Sequence, residues 1–259
     1  NANLNFFIPA DSLGTYDSDT SIEGDVAGDS KWCGISLKQI DPIKVIADEE
    51  EGEDVTLISA CTSLCLDVKN IKSLQILSGL ITQEELKCIN SKFTSLTELI
   101  INEEVRIENE IIPSNFLKNH ASIKFISINC QVKVIEESAF EGCLELESIR
   151  CKNAKELKSD CLKGPTKLSV ISFDLVETLT GSQFFSENPL LETIELPKLV
   201  TVDATGSISM NSPLLSTIKL PFEPPKCSNG FTFDVSPLLI GVSNEAAIRY
   251  DEADSMNND

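Results

Sequence analysis

A chain of 259 residues with 41% hydrophobic residues has material for one elongated domain or two compact ones, and for a core that forms without staples. Its formal charge of -20, from 21 basic and 41 acidic residues, argues against a nucleic-acid surface, which needs an excess of Lys and Arg, and disfavours anionic membranes. The sequence contains no run of about 18 apolar residues, so no membrane span is expected.

Residues 1–50 are rich in Asp, Ser and Gly and read as an irregular acidic leader or N-terminal cap. Within them Asp17-x-Asp19-x-Ser21 has the opening spacing of a calcium loop, but Ile22 and Gly28 stand where that loop needs its Gly and its closing Glu, so no metal site is expected. Ile43-Lys44-Val45-Ile46 and residues 55–58 are short apolar strands on this reading. The intervening residues 48–54 hold six carboxylates in seven positions and read as a solvated hairpin loop. Residues 51–73 are expected to be a capping or degenerate repeat.

From Leu74 a period emerges. Apolar-x-x-apolar ladders begin at Leu74, Leu96, Ile123, Leu146, Leu168, Leu191 and Leu215, spaced 22 to 27 residues apart. Such a period predicts a leucine-rich-repeat solenoid over residues 74–222. Short parallel strands line its concave face, the return segments are mostly irregular or short helices, and the ends are capped. One repeat cannot cover its own apolar residues, so Leu146, Ile149 and Phe140 need equivalents above and below. The longest interval, Leu96 to Ile123, carries Glu103, Glu104, Glu108 and Glu110 and is expected to bulge as an acidic loop.

The best-preserved unit is Val134-Ile135-x-x-Ser138-Ala139-Phe140-x-Gly142-Cys143-x-x-Leu146-x-x-Ile149. It resembles the repeat of the BspA-like leucine-rich proteins. Ladders ending in Pro, Ile194-Glu195-Leu196-Pro197 and Ile218-Lys219-Leu220-Pro221, resemble it too, as does a closing segment over residues 223–259 with Pro224-Pro225, Phe231, Phe233, a last ladder at Leu238-Leu239-Ile240 and a Tyr250-centred tail. The resemblance implies a surface or secreted protein of a host-associated bacterium or protist, linked to adhesion and to host matrix proteins. An intracellular scaffold of a protist, hence cytoplasmic, is the alternative.

Strand alternation places ladder positions three and five away from the core. Position three gives Ile76, Glu98, Phe125, Ser148 and Val170, and position five gives Ser78, Ile100, Ser127 and Arg150. Ile76, Ile100, Phe125 and Val170 are apolar where a solvated sheet does not need them, so Ile76, Glu98, Ile100, Phe125, Ser127, Ser148, Arg150 and Val170 are the candidate protein-binding residues. The basic run Arg150, Lys152, Lys155, Lys158, Lys163 and Lys167 is expected to be a solvated face, with a sulfated glycan or acidic protein as its alternative ligand.

Nine cysteines, an odd number, fall at core positions of the repeat, as Cys151 and Cys161 do, and read as buried thiols. The close pair Cys61-x-x-x-Cys65 lacks the second pair or histidines of a zinc site. His120 is the only histidine and is expected to be exposed at a turn. The chain has no G-x-S-x-G elbow, Gly-rich phosphate loop or H-E-x-x-H helix, so neither catalysis nor a cofactor is expected.

Overall fold

The computed structural model describes residues 68–164, 167–209 and 211–228, together with short strands at 31–32, 35–36, 43–46, 231–232 and 239–240. Strands β1 (Lys31–Trp32) and β2 (Ile35–Ser36) pair antiparallel, and β3 (Ile43–Ile46) lies parallel to β4 (Ser73–Ile81). Helix α1 (Gln83–Lys92) follows, then β5 (Glu98–Ile107) and β6 (Ile111–Ile112). From here each turn of the coil supplies a ladder strand and a return strand. The first two turns give β7 (Phe125–Ile128) with β8 (Val134–Ile135), and β9 (Ser148–Cys151) with β10 (Glu156–Lys158). Next come β11 (Val170–Ser172) with β12 (Thr178–Gly181), and β13 (Thr193–Glu195) with β14 (Thr201–Ala204) and the short β15 (Gly206–Ser207). The described chain closes with β16 (Thr217–Lys219), β17 (Lys226–Cys227), β18 (Phe231–Thr232) and β19 (Leu239–Ile240). The last ladder expected near Leu238 is thus a strand.

Two parallel stacks run the length of this coil. The ladder strands form a sheet in the order β3-β4-β5-β7-β9, continued by β11-β13-β16-β19, and the return strands form β17-β14-β12-β10-β8-β6. The solenoid expectation holds, but the return side is more regular than expected, a second six-stranded parallel sheet replacing irregular segments. Its sequence signal is only two to four residues per strand, too short for alternation to show. Register fixes the inner columns. Leu74, Leu99, Ile126 and Ile149 pair in succession, and so do Ile76, Ile101, Ile128 and Cys151. All are buried, which gives one continuous core.

Between each return strand and the next ladder lies a compact turn, built on two inward apolar residues framed by left-handed ones. Asn115 and Asn119, Ser138 and Gly142, Asp160 and Gly164, and Gln183 and Glu187 all have positive φ. Asn, Asp and Gly dominate these positions because their side chains tolerate that region best. Backbone bonds then tie turn to turn: Leu117 N–H to Ala139 O at 2.7 Å, Phe140 N–H to Cys161 O at 2.9 Å, Leu162 N–H to Phe184 O at 3.0 Å. This register sets Cys161 over Ala139 and Leu162 over Phe140. The small Ala139 leaves room for Phe140 to meet Phe116 edge-on, with ring centroids 5.9 Å apart.

Three residues before four of the ladder leads, a polar side chain turns inward to bond a carbonyl group. His120 Nε2 donates to Phe93 O at 3.0 Å, Cys143 Sγ to Leu117 O, Asn188 Nδ2 to Leu162 O at 2.8 Å, and Ser212 Oγ to Phe185 O. These bonds satisfy carbonyls that would otherwise be buried without partners. The expectation of an exposed His120 is therefore corrected. At 3% exposure it is a member of this inner column, because left-handed Asn119 before it turns the chain inward.

Burial lowers the His120 pKa below its ordinary 6.5, with the Phe93 carbonyl opposing. The neutral ring is the folded form, so its contribution to stability is complete above about pH 6.5 and is lost as pH falls below that value toward the folded-state pKa. Urea unfolding at pH 7.5 and 5.5 should show stability falling more steeply in the wild type than in His120→Gln. Parallel slopes would refute that role.

Two further expectations change near the N-terminal end. The first ladder starts at Ile71 and not at Leu74, because Leu74 pairs with Leu99 and not with Leu96. Ile76 is therefore 1% exposed, in the core column, and Ser78 lies past the ladder, paired with Glu104. Leu74-x-x-Leu77 imitated the ladder spacing three residues late. Nor does the acidic interval leave the coil as a loop, its irregularity being a register shift at residues 102–103 and a short turn at Glu108–Glu110. β5 continues through it, pairing Ser78 to Ile81 with Glu104 to Ile107, with Val105 and Ile107 buried and Glu104 and Arg106 outward. Period-two alternation outweighs the carboxylates there. Helix α1 begins on a capping box, in which Thr82 Oγ1 accepts from Glu85 N–H and Glu85 Oε2 accepts from Thr82 N–H. Residues 17–21, 48–54, 55–58 and 61–65 lie outside the described residues.

Candidate functional site

The outward columns of the ladder sheet are read directly from the register. Position three runs Ser73, Glu98, Phe125, Ser148, then Val170, Thr193, Thr217. Position five runs Gln75, Ile100, Ser127, Arg150, then Ser172, Glu195, Lys219. Seven of the eight candidate residues lie on this face, and Ile76 does not.

Polar groups toward both ends of the face bond one another. Ser73 Oγ donates to Glu98 Oε2, and Ser172 Oγ donates to Glu195 Oε2 at 3.1 Å while Lys219 pairs with the other oxygen of Glu195. The Lys219 bond holds the Glu195 carboxyl below the usual range. The middle of the face differs. Phe125 is 43% and Val170 49% exposed, Ser148 beside Phe125 is exposed, and Ile100, paired with Ser127, is half-buried. The ladder sheet also divides here, since β9 pairs with β7 but has no registered pairing with β11.

Charge on the coil follows the stacking of turns. Lysines bridge to carboxylates one turn away: Lys118 to Glu141 at 2.7 Å, Lys124 to Glu147 at 3.2 Å, Lys133 to Glu110 at 2.7 Å, Lys155 to Glu177 at 3.9 Å, Lys163 to Glu187 at 4.0 Å and Lys167 to Glu145 at 2.7 Å. Lys158 pairs with Glu156 on its own strand, and that carboxyl, opposed by its burial, is held low by Lys158 and Thr180. The basic run is thus not one face, for four of its six members are neutralised locally. Arg150 and Lys152 are exposed and have no ion-pair partner among the described residues.

No group of three or more metal-ligating side chains occurs among the described residues. Their cysteines are free thiols. Burial pushes Cys130 up to about 11, and Cys143 and Cys151 up to about 12, which suppresses the thiolate form that nucleophilic chemistry needs. Cys130, Cys143, Cys151 and Cys161 fill core positions, while Cys88 and Cys227 are half-buried.

Comparison with known proteins agrees with this geometry. Residues 110–227 match, in six copies, the family model described as the BspA type leucine rich repeat region. These residues are a BspA-type leucine-rich repeat region. The BspA-type repeats start at Glu110, downstream of the long strands β4 and β5 and of α1, whose lengths depart from the later turns. Repeats of this type build protein-interaction surfaces. No curated protein matches the chain. Among the described residues, no helix is long and apolar enough to cross a membrane.

Proposed function

We propose that this protein is a non-enzymatic adhesion module, displayed at a cell surface or secreted, that captures a protein partner on its ladder face. The carrying observation is the apolar pair Phe125 and Val170, near half exposed on rigid strands where the neighbouring turns carry Thr, Ser or Glu. Such side chains gain nothing from facing water and become anchors once a partner covers them. The surface location rests on the resemblance to BspA-like proteins. Residues 1–50 as leader, 51–73 as cap, 74–222 as the repeat body and 223–259 as the closing cap complete the proposed organisation.

The test uses the intact chain to capture proteins from matrix and cell-surface extracts. The double variant Phe125→Ser with Val170→Ser should retain less than a tenth of the specifically captured partner. Its thermal midpoint should stay within about 2 °C, since neither side chain belongs to the core. Undiminished capture by that variant would refute the reading.

A further inference from the structure

We infer that the partner presents an extended acidic segment, in which an apolar side chain is followed two residues later by a carboxylate. The inference rests on the ladder-face reading and adds the chemistry of what that face receives. Phe125 pairs directly with Ser148, and Val170 holds the equivalent outward position on β11, the next ladder strand, across the division of the sheet. The small Ser148 between them leaves a notch with apolar walls. Arg150 is the next outward residue on the same strand, about 7 Å away at strand rise. An extended ligand chain has the same rise, so a side chain seated in the notch puts its second neighbour over the guanidinium.

The cation is free to receive it. Arg150 pairs with the short Ser127, and Ser172 holds the equivalent position on the next ladder strand. Their hydroxyls are already engaged, Ser127 with Asn129 and Ser172 with Glu195. The carboxylates of the face are occupied as well, Glu98 by Ser73 and Glu195 by Ser172 and Lys219. In a chain of net charge -20, whose lysines in this region pair from turn to turn, Arg150 and Lys152 are neighbouring cations without a carboxylate among the described residues. A guanidinium fits a carboxylate in a planar two-bond pairing, and water exclusion by Phe125 and Val170 strengthens that pairing. A lone phosphate or sulfate would use the cations and leave the apolar walls uncovered, so the combination selects a protein segment.

A library of random twelve-residue peptides displayed against the intact chain tests this. Enriched peptides should carry an apolar residue two positions before Asp or Glu. They should bind Arg150→Glu at least tenfold more weakly and the Phe125→Ser, Val170→Ser variant at least tenfold more weakly, with thermal midpoints unchanged. Selection on Arg150→Glu should enrich Lys or Arg at the second position instead. Peptides that depend on Phe125 and Val170 but lack an acidic residue, or bind Arg150→Glu equally well, overturn the acidic segment and leave the ladder-face reading standing. Peptides indifferent to Phe125 and Val170, or no enrichment at all, overturn both.

Discussion

Phe140→Ala should lower the unfolding free energy by about 3 to 5 kcal/mol, the range for truncating a fully buried aromatic ring. Phe140 has no exposed surface, and its ring meets Phe116 of the preceding turn edge-on. The loss has two parts, the apolar area no longer removed from water and a cavity that the neighbours cannot fill. Collapse into that cavity is opposed by the backbone bonds on both sides of the ring, Phe140 N–H to Cys161 O and Leu117 N–H to Ala139 O. Equilibrium unfolding in urea measures the change. Leu144→Ala, in the same repeat but at a side chain 52% exposed, should shift stability by less than about 0.5 kcal/mol. Similar losses in the two variants would contradict the stacking of the turns described here.

Gly164→Ala should cost about 3 kcal/mol, combining left-handed backbone strain with overpacking. Gly164 has φ of +114°, and an added Cβ would lie 3.0 Å from the amide nitrogen of Gly142 and 3.1 Å from its Cα. Those atoms cannot yield as the end of a flexible side chain would, because Gly142 N–H donates to Lys163 O at 2.8 Å. The methyl group would therefore press on an inter-turn hydrogen bond. Gly206→Ala separates the two contributions. Its φ is +82° and nothing lies within 4 Å of the added Cβ, so only the conformational part, about 1 to 2 kcal/mol, should appear. Equal effects at Gly164 and Gly206 would show that the close approach of turns is unimportant.

The coil was legible because its repeat is periodic and short-ranged. Leu146-x-x-Ile149-x-Cys151 places inward residues by alternation alone, and the six copies of the repeat over residues 110–227 confirm the stack. Where local spacing was ambiguous, the reading slipped. Leu74 fits two ladder frames, and only its pairing with Leu99 decides that Ile76 faces the core. Glu103 and Glu104 look like a loop by charge, yet Val105 and Ile107 between the charges bury against the previous turn. His120 looks like a surface histidine until the turn before it supplies the carbonyl of Phe93. An Asn or Gly four residues after another left-handed position, as at Asn115 and Asn119, was a signal that could have revealed these turns.

The amino-acid sequence by itself determined the repeat, its inward columns from the Leu96 ladder onward and the outward placement of Phe125, Ser148, Arg150 and Val170, since period-two alternation within those ladders needs no knowledge of neighbouring turns. Tertiary structure decided which of those outward groups are available. Lys155, Lys163 and Lys167 find their carboxylates 22 to 24 residues away in sequence, at Glu177, Glu187 and Glu145, and Glu195 is taken by Lys219. Arg150 finds none. Ion pairing depends on distances of about 4 Å that stacking alone creates, so only the fold could separate the neutralised lysines from the guanidinium left open between Phe125 and Val170.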